Sequence, residues 1–299
     1  MNSIDIESKK FLGQPKNFVS IFNALLFDGK QVLKPEYLKD ENSELVMNVS
    51  SKHVDIIKRY EDGTYLDLFV IESQSYVDPS MVARVMEYES VARMRYIRQN
   101  FKKHVPMHTR LPMILTVVLY VGESKWNAAK RLSELEIIHP GFEAMFNEFQ
   151  LNLIELNTNH KYNTGEKATQ DFFDLLRMIY RKQILKEDLD REFNRDALYF
   201  AYVVTKNKEL LSIYNKSEKG DVKVCRALDE MFEESTNKGI QMGIKQGFEQ
   251  GIEQGIEQGI ALKELFVYQT MLEKGFSVKA IASIFSVSEE SIKKLLMKA

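Results

Sequence analysis

The amino-acid sequence predicts an α/β or α+β fold, in which a central sheet is flanked by helices and followed by a helical tail. Two observations support this prediction. Short apolar segments of strand length alternate with longer segments of helical spacing, and six glycines recur at four-residue intervals between residues 239 and 259. An order of helix, three strands, helix and strand is typical of a layered domain that contains both types of element.

The composition is that of a folded globular protein, with 44% hydrophobic and 28% charged residues. The net charge of -2 gives no overall reason to bind nucleic acid, so any basic surface must be local. A single cysteine excludes a disulfide framework and a cysteine-based zinc site. Residues 1–15 lack the apolar stretch of a signal peptide, and the longest apolar run, 113–121, is about half a membrane span. We therefore expect a cytoplasmic protein with no membrane partner.

The first predicted elements are a helix and three strands. Residues 16–27 carry apolar side chains at helical spacing, and Asp28-Gly29 supplies a stop. Strands are predicted at 44–50, 53–60 and 65–74. The Asp62-Gly63 pair predicts a two-residue turn that joins the last two strands into a hairpin.

The following elements alternate between helix and strand. A helix is predicted from the Asp78-Pro79-Ser80 start to about Phe101, with Pro79 near its first turn. Strands are predicted at 113–121 and 151–156, a further helix at 169–185, and mostly helical structure to Phe232.

The hairpin brings polar side chains onto one face. With a two-residue turn the paired residue numbers sum to 125, so Asp55 lies opposite Val70 and shares a face with Glu72 and Gln74. The two carboxylates are then diagonal neighbours, with Cα atoms roughly 7–8 Å apart. Mg²⁺ prefers oxygen ligands of this kind, the main-chain carbonyl of Ser73 is a further candidate ligand, and Gln74 could orient a bound water.

The alternative interpretation is that Asp55 and Glu72 are solvated edge charges, which is the more common situation for two acids on neighbouring strands. Glu72, however, ends an apolar strand, where an acid is costly without a partner. This position favours a metal site.

Several segments together resemble a known family. They are Asp55 with the hairpin, Val70-Ile71-Glu72-Ser73-Gln74, residues 81–88 (MVARVMEY), 18–29 (FVSIFNALLFDG), 111–126 (LPMILTVVLYVGESKW) and the glycine-repeat tail. They resemble the PD-(D/E)XK restriction-endonuclease-like superfamily, and within it the Rpn family of recombination-promoting nucleases and transposase-like proteins. In that family an E-x-Q motif replaces the usual E-x-K.

The resemblance implies a DNA endonuclease that hydrolyses phosphodiester bonds with Mg²⁺, or with Mn²⁺ in its place. Asp55 and Glu72 would be the metal ligands, and Gln74 would stand in the position of the catalytic lysine. Related nucleases often add an acid from the first helix, where the polar candidate in this sequence is Asn23. The resemblance also implies a bacterial cytoplasmic protein that associates with DNA in the nucleoid.

Two groups of residues are candidates for contacts with DNA. Arg84 and Tyr88 are four residues apart and share one helix face, where they could contact phosphate or simply stack on each other. A basic cluster follows near the end of the same helix, and it could bind DNA or simply complement the helix dipole. It comprises Arg93, Arg95, Arg98, Lys102, Lys103 and His104.

The tail divides into a repeat, residues 236–262, and a small helical segment, residues 263–299, which leaves 1–235 for the nuclease-like domain. Each of the six glycines is followed by Ile or Phe. A helix with this stripe would associate with a second copy, so we expect a homo-oligomer; a flexible linker is the alternative. The segment after the repeat, with Ser277 and Ser288 as N-caps, resembles a helix-turn-helix or is simply a structural helical unit.

Two other function classes stay open at this point. The weak neutral ligand Asn23 and the acidic net charge also suit a catalytically weak DNA-binding or regulatory protein that keeps the nuclease fold. The repeat alone suits a pure interaction protein.

Overall fold

The computed structural model describes residues 3–41, 56–63, 66–184, 188–217 and 220–297. The chain divides into two compact units, with the boundary between Phe232 and Glu233. The predicted strand at 44–50 and the predicted catalytic residue Asp55 lie outside the described residues.

The first unit contains a five-stranded sheet, a two-stranded ribbon and helices on both faces of the larger sheet. The strands are β1 (Leu38–Asp40), β2 (Ile56–Glu61), β3 (Leu66–Gln74), β4 (Ile114–Tyr120), β5 (Asn152–Glu155), β6 (Glu192–Phe193) and β7 (Val222–Lys223). The helices are α1 (Ser3–Leu12), α2 (Pro15–Phe27), α3 (Met81–Asn100), α4 (Lys167–Arg181), α5 (Arg195–Thr205), α6 (Lys208–Lys216) and the start of α7 (Cys225–Glu273).

The large sheet is mixed, with the strand order β1-β2-β3-β4-β5. β1, β2 and β3 are antiparallel neighbours, whereas β3, β4 and β5 run parallel. The connection from β3 to β4 passes through α3, as parallel neighbours require a crossover. The predicted fold class, a mixed sheet flanked by helices with a helical C-terminal part, is confirmed.

The predicted two-residue hairpin turn is wrong. The last pair of the β2–β3 ladder is Glu61 with Leu66, so four residues join the strands, and paired residue numbers sum to 127 instead of 125. Gly63 does adopt a positive φ of 89° in this connection. Side chains alternate between the two faces with a period of two, so shifting β2 by two residues along β3 leaves every side chain on its own face. The alternation of apolar residues in the sequence therefore cannot distinguish the two registers.

The two faces of the sheet are covered by different helices. Phe22 of α2 packs on Phe69 of β3 with ring centroids 4.8 Å apart, and α4 and α5 extend the same core. On the opposite face, Tyr88 of α3 packs with Val70 of β3. Because side chains alternate along β3, the face under α3 also receives Glu72 and Gln74.

A buried ionic cluster attaches the segment before β6 to α4. Arg191 contacts the carboxylates of Asp171, Asp174 and Asp188, and all three of these acids are buried. The main-chain N–H of Asn194 also donates to Asp171, at 2.6 Å. Lys167 also pairs with Asp171 and Arg177 with Asp174, and Arg191 is the cation that all three buried carboxylates share.

The second unit contains the rest of α7 together with α8 (Val278–Phe285) and α9 (Glu289–Met297). The predicted N-caps are confirmed: Ser277 Oγ accepts from the N–H of Ala280, and Ser288 Oγ from that of Ser291. The glycine repeat is helical throughout and belongs to the 49-residue helix α7. A small core joins the end of α7 to α8 and α9, and it consists of Tyr268, Ile281, Ala282 and Ile292.

None of the helices in the described ranges has a segment long and apolar enough to cross a lipid bilayer.

We predict that Arg191→Gln lowers the free energy of unfolding by about 3–5 kcal/mol, because it removes the cation that three buried carboxylates share. Urea unfolding followed by circular dichroism measures the change. The matched control is Arg226→Gln, whose side chain is 81% exposed in an exposed ion pair with Asp190. An equal effect of the two substitutions would contradict the stabilising role of the cluster.

Candidate functional site

The site lies at the carboxyl end of β3, beneath α3. β3 is the central strand of the sheet, and its residues 68–71 are buried apolar side chains. Glu72 and Gln74 follow on the face that α3 covers, opposite Val118 and Tyr120 of β4. Glu72 is only 2% exposed, so its carboxylate is held in the protein interior.

Arg84 is the main partner of this buried carboxylate. Its Nη2 donates to Glu72 Oε1 at 2.8 Å, and its Nη1 donates to Asp78 Oδ2 at 2.6 Å. The Tyr88 hydroxyl accepts from Nε at 3.0 Å and from Nη2 at 2.7 Å. Gln74 Nε2 donates to Glu72 Oε1 at 2.8 Å. We call these five residues the Arg84 network.

The start of α3 is built into the same network. Asp78 Oδ1 accepts from the main-chain N–H of Ser80 at 2.9 Å and from its hydroxyl at 2.6 Å. Asp78 therefore uses one oxygen to fix the turn before α3 and the other to hold Arg84. The helix entry and the end of β3 are thus positioned by a single set of polar contacts.

The protonation states follow from burial and from charge. Burial works against the charged form of Asp78, but hydrogen bonds from Ser80 and Arg84 outweigh it and lower the pKa of this carboxyl. Burial also opposes the charge on Arg84, yet Asp78, Tyr88 and the carboxylate of Glu72 raise the pKa of the guanidinium. The pKa of Tyr88 is raised by burial and then by the negative charge of Glu72. Near neutral pH, Arg84 is charged, Tyr88 is protonated and Asp78 is ionised.

The structure brings together Glu72, Gln74, Arg84 and Tyr88 of the residues predicted from the sequence. Arg84 and Tyr88 point into the protein, where Tyr88 is 4% exposed, so their observed partners are protein groups. Ser73 pairs with Leu119 in the sheet and contributes its main chain to the same strand end.

Asn23 has a structural role. Its Nδ2 donates to the carbonyl of Leu33, and its Oδ1 accepts from the N–H of the same residue, both at 2.9 Å. The side chain is fully buried and fixes the chain that follows α2. Both functional atoms of this side chain are therefore occupied by main-chain groups.

The basic cluster at the end of α3 is only partly available to a ligand. Arg98, Lys102, Lys103 and His104 are exposed, whereas Arg95 is half-buried. Arg93 forms an ion pair with Glu89 at 2.8 Å. The exposed members extend from the last turn of α3 into the segment that follows it.

The sequence prediction missed the role of Asp78. The Asp78-Pro79-Ser80 segment predicts only a helix start, whereas in the structure Asp78 also pairs with Arg84. An acid just before a helix and an arginine in its first turns are a detectable signal. Their contact depends on the turn geometry, which sequence spacing does not specify.

The donors present suit a hard cation in type but are few in number. Glu72 and Asp78 offer carboxylate oxygens, which Mg²⁺ prefers, and the network already accommodates a positive charge between them. No group of three or more His, Cys, Asp or Glu side chains that could hold a metal occurs among the described residues. Among the described residues, the site thus offers the carboxylates of Glu72 and Asp78.

Comparison with known proteins identifies one family. The model of a family described as "Putative transposase, YhgA-like" matches residues 9–210, which include the sheet and the Arg84 network. Neither the curated proteins nor the solved structures contain a match.

We predict that Asp78→Asn destabilises the protein at pH 7 by about 1–3 kcal/mol, because an ionised hydrogen-bond acceptor is lost. The folded-state pKa of Asp78 is lowered, so its contribution is present above the ordinary value of about 3.9 and is lost as the pH falls through the folded-state pKa. Urea unfolding of wild type and variant between pH 7 and pH 3 should show the difference shrinking in acid.

Asp67→Asn is the control, because the contribution of Asp67 to stability should change with pH in the opposite direction. Burial raises the pKa of Asp67, so its contribution is present at low pH and is lost as the pH rises through the folded-state pKa. Parallel pH profiles for the two variants would contradict the assignment of the Asp78 carboxylate.

Proposed function

Because the chain belongs to the YhgA-like transposase family, we propose that it is a Mg²⁺-dependent DNA endonuclease whose metal ligands are Asp55 and Glu72. Membership supports a role in processing nucleic acid. The proposal of metal-dependent phosphodiester hydrolysis rests chiefly on one observation, the carboxylate of Glu72 buried at the end of the central strand. A buried acid on a rigid element is well suited to bind a cation and costly to maintain otherwise.

The proposed ligands come from neighbouring strands. Glu72 belongs to β3, and Asp55 immediately precedes Ile56, which pairs with Ile71. The main-chain carbonyl of Ser73 is a further proposed ligand, and Gln74 would orient the attacking water. When bound, Mg²⁺ would lower the pKa of a coordinated water and stabilise charge on the phosphodiester.

Arg84 has a defined part in this proposal. Its guanidinium supplies the positive charge that Glu72 and Asp78 need while no metal is bound. A cation that binds Glu72 competes with this ion pair for the same carboxylate. Arg84 would then be released from Glu72 while it keeps its contact with Asp78.

The proposed DNA surface lies at the end of α3 and in the segment that follows it. It comprises the exposed Arg98 and Lys102 and the half-buried Arg95, whereas Arg84 and Tyr88 point into the protein. Arg98 and Lys102 are exposed and suited to phosphate contacts. Such contacts hold the duplex without reading its sequence.

A second candidate function is supported by the ion pair that Arg84 forms with Glu72. Arg84 neutralises Glu72, and the amide of Asn23 is engaged by the main chain, so the described acids could serve stability alone. The protein would then be a catalytically weak DNA-binding or regulatory protein that keeps the nuclease fold. DNA binding that weakens with salt, without cleavage in any divalent metal, supports this candidate.

We also propose that the protein is a homo-oligomer, in which the repeat of α7 contacts a second copy. Six helical glycines cost about 0.8–1 kcal/mol each relative to alanine. Their side of the helix is open, since a Cβ atom built on any of them meets nothing within 4 Å apart from its chain neighbours and the nearby backbone of its own helix. Packing against a partner would supply the missing stability.

The endonuclease proposal predicts that purified protein nicks or cuts plasmid DNA with Mg²⁺ or Mn²⁺, but not with EDTA. Asp55→Asn and Glu72→Gln should each lower the rate at least about 100-fold, since each removes a charged metal ligand. Glu136→Gln, an exposed acid outside the site, is the matched control. Calorimetric titration with Mg²⁺ separates metal loss from misfolding, and full cleavage by folded Glu72→Gln protein would overturn the proposal.

We predict that Arg84→Gln unfolds about 3–5 kcal/mol more easily than wild type without metal, because two buried carboxylates lose their counter-charge. Millimolar Mg²⁺ should restore more stability to this variant than to wild type, since the competing cation is gone. Urea unfolding with and without Mg²⁺ measures both effects. Arg98→Gln, exposed on the same helix, is the control. An equal Mg²⁺ effect in all three proteins would show that Arg84 does not compete with metal.

A further inference from the structure

The repeat of α7 presents an apolar column that no described part of the chain covers. The residue after each glycine is Ile or Phe, and these side chains are between 47% and 69% exposed. The column consists of Ile240, Ile244, Phe248, Ile252, Ile256 and Ile260. Six large apolar side chains in one exposed row are typical of an interaction surface.

The repeat places three different columns around the helix. Successive residues are about 100° apart, so the Ile/Phe column lies on one side of the glycines and the residues preceding them lie on the other. Those residues are mainly glutamines: Gln246, Gln250, Gln254 and Gln258. When the glycine column faces a partner, the partner therefore meets an apolar flank on one side and an amide flank on the other.

We infer that the occupant of this surface is the same helix of a second copy, in antiparallel orientation. Two parallel helices related by an axis along their length place the Ile/Phe column of each beside the glutamine column of the other. Two antiparallel helices, related by a perpendicular axis, place both Ile/Phe columns on one side and both glutamine columns on the opposite side. Only the antiparallel pair buries apolar side chains against apolar side chains.

The charges of the repeat favour the same orientation. Residues 238–248 carry Lys238 and Lys245 and no acid, whereas residues 249–260 carry Glu249, Glu253 and Glu257 and no base. An antiparallel pair sets the basic half of each helix beside the acidic half of the other, and the helix dipoles are opposed. A parallel pair would place like charges in the same half of the repeat. Because Lys245 and the three glutamates lie on the column opposite the glycines, the apolar flanks rather than the charges decide the orientation.

The glycine spacing defines the contact further. A period of four residues exceeds 3.6, so the stripe winds around the helix and the two helices cross in a right-handed sense. In the register that centres the crossing on the repeat, Gly247 of one copy lies opposite Gly251 of the other. The stripe turns by about 40° per repeat, so Gly239 and Gly259 at its ends lie away from the contact. Glycine at the crossing allows the two backbones to approach closely.

This inference depends on the self-association proposed above, and spin-label distances in the full-length protein test both. Asn237 and Ala261 occupy a column opposite the glycines, so a cysteine at either position leaves the contact face unchanged. All samples carry Cys225→Ala, although Cys225 is itself buried and burial raises its pKa to about 11. The samples are Asn237→Cys alone, Ala261→Cys alone and an equal mixture of the two.

The antiparallel pair predicts different distances for the single and mixed samples. Residues 237 and 261 are separated by about 36 Å along one helix. In each single variant, the labels on the two copies should therefore lie far apart, at a distance that includes this separation of about 36 Å. The mixed sample should show an additional short distance, between a label at 237 on one copy and a label at 261 on the other. Short distances within each single variant would establish a parallel pair and overturn the orientation. A monomer by light scattering would instead overturn self-association itself.

A matched pair of substitutions tests which columns meet. Ile252→Gln places an amide in the apolar flank and should weaken the assembly at least about tenfold, as measured by light scattering over a concentration series. Glu253→Gln changes the column that lies opposite the glycines, and it should alter the strength of self-association by less than about twofold. Equal effects of the two would show that the Ile/Phe column is not the interface.

Discussion

The ion pair between Arg84 and Glu72 is the constraint around which the site is organised. A carboxylate at the end of the central strand is stable in the interior only if a cation and hydrogen-bond donors reach it. Arg84 reaches it because Asp78 fixes the turn that starts α3, and Tyr88 then packs the helix on the sheet. The position of α3 and the accessibility of Glu72 are thus set by the same contacts. A single arginine connects the stability of the fold to the state of the site.

The sequence predicted most of the elements that form the site. The spacing of apolar residues located α2, α3 and β4 to within a few residues, because each buries a continuous face or run. The hairpin register was wrong by two residues, since both registers place the same side chains on the same face. β1 was not predicted, because a three-residue edge strand carries too few side chains for a pattern.

The candidate site was predicted less completely than the fold. Alternation along β3 correctly placed Glu72 and Gln74 together, and their contact is a local property of one strand. Arg84 and Tyr88 were identified as neighbours on a helix, but the inward direction of their side chains depends on how α3 packs. Asp78 was missed because its partner lies six residues away across a turn. The role of Asp55 remains a prediction, as it lies outside the described residues.

The tetrad Glu-Gln-Gly-Ile occurs three times without change between residues 249 and 260. A chain that gains or loses one such tetrad becomes about 6 Å longer or shorter in α7 but keeps every column intact. Repeat number can therefore change in evolution without disturbing the fold of either unit. In the proposed pair, copies with equal numbers of tetrads place the crossing at the centre of both repeats, whereas unequal copies would place it off centre in one of them.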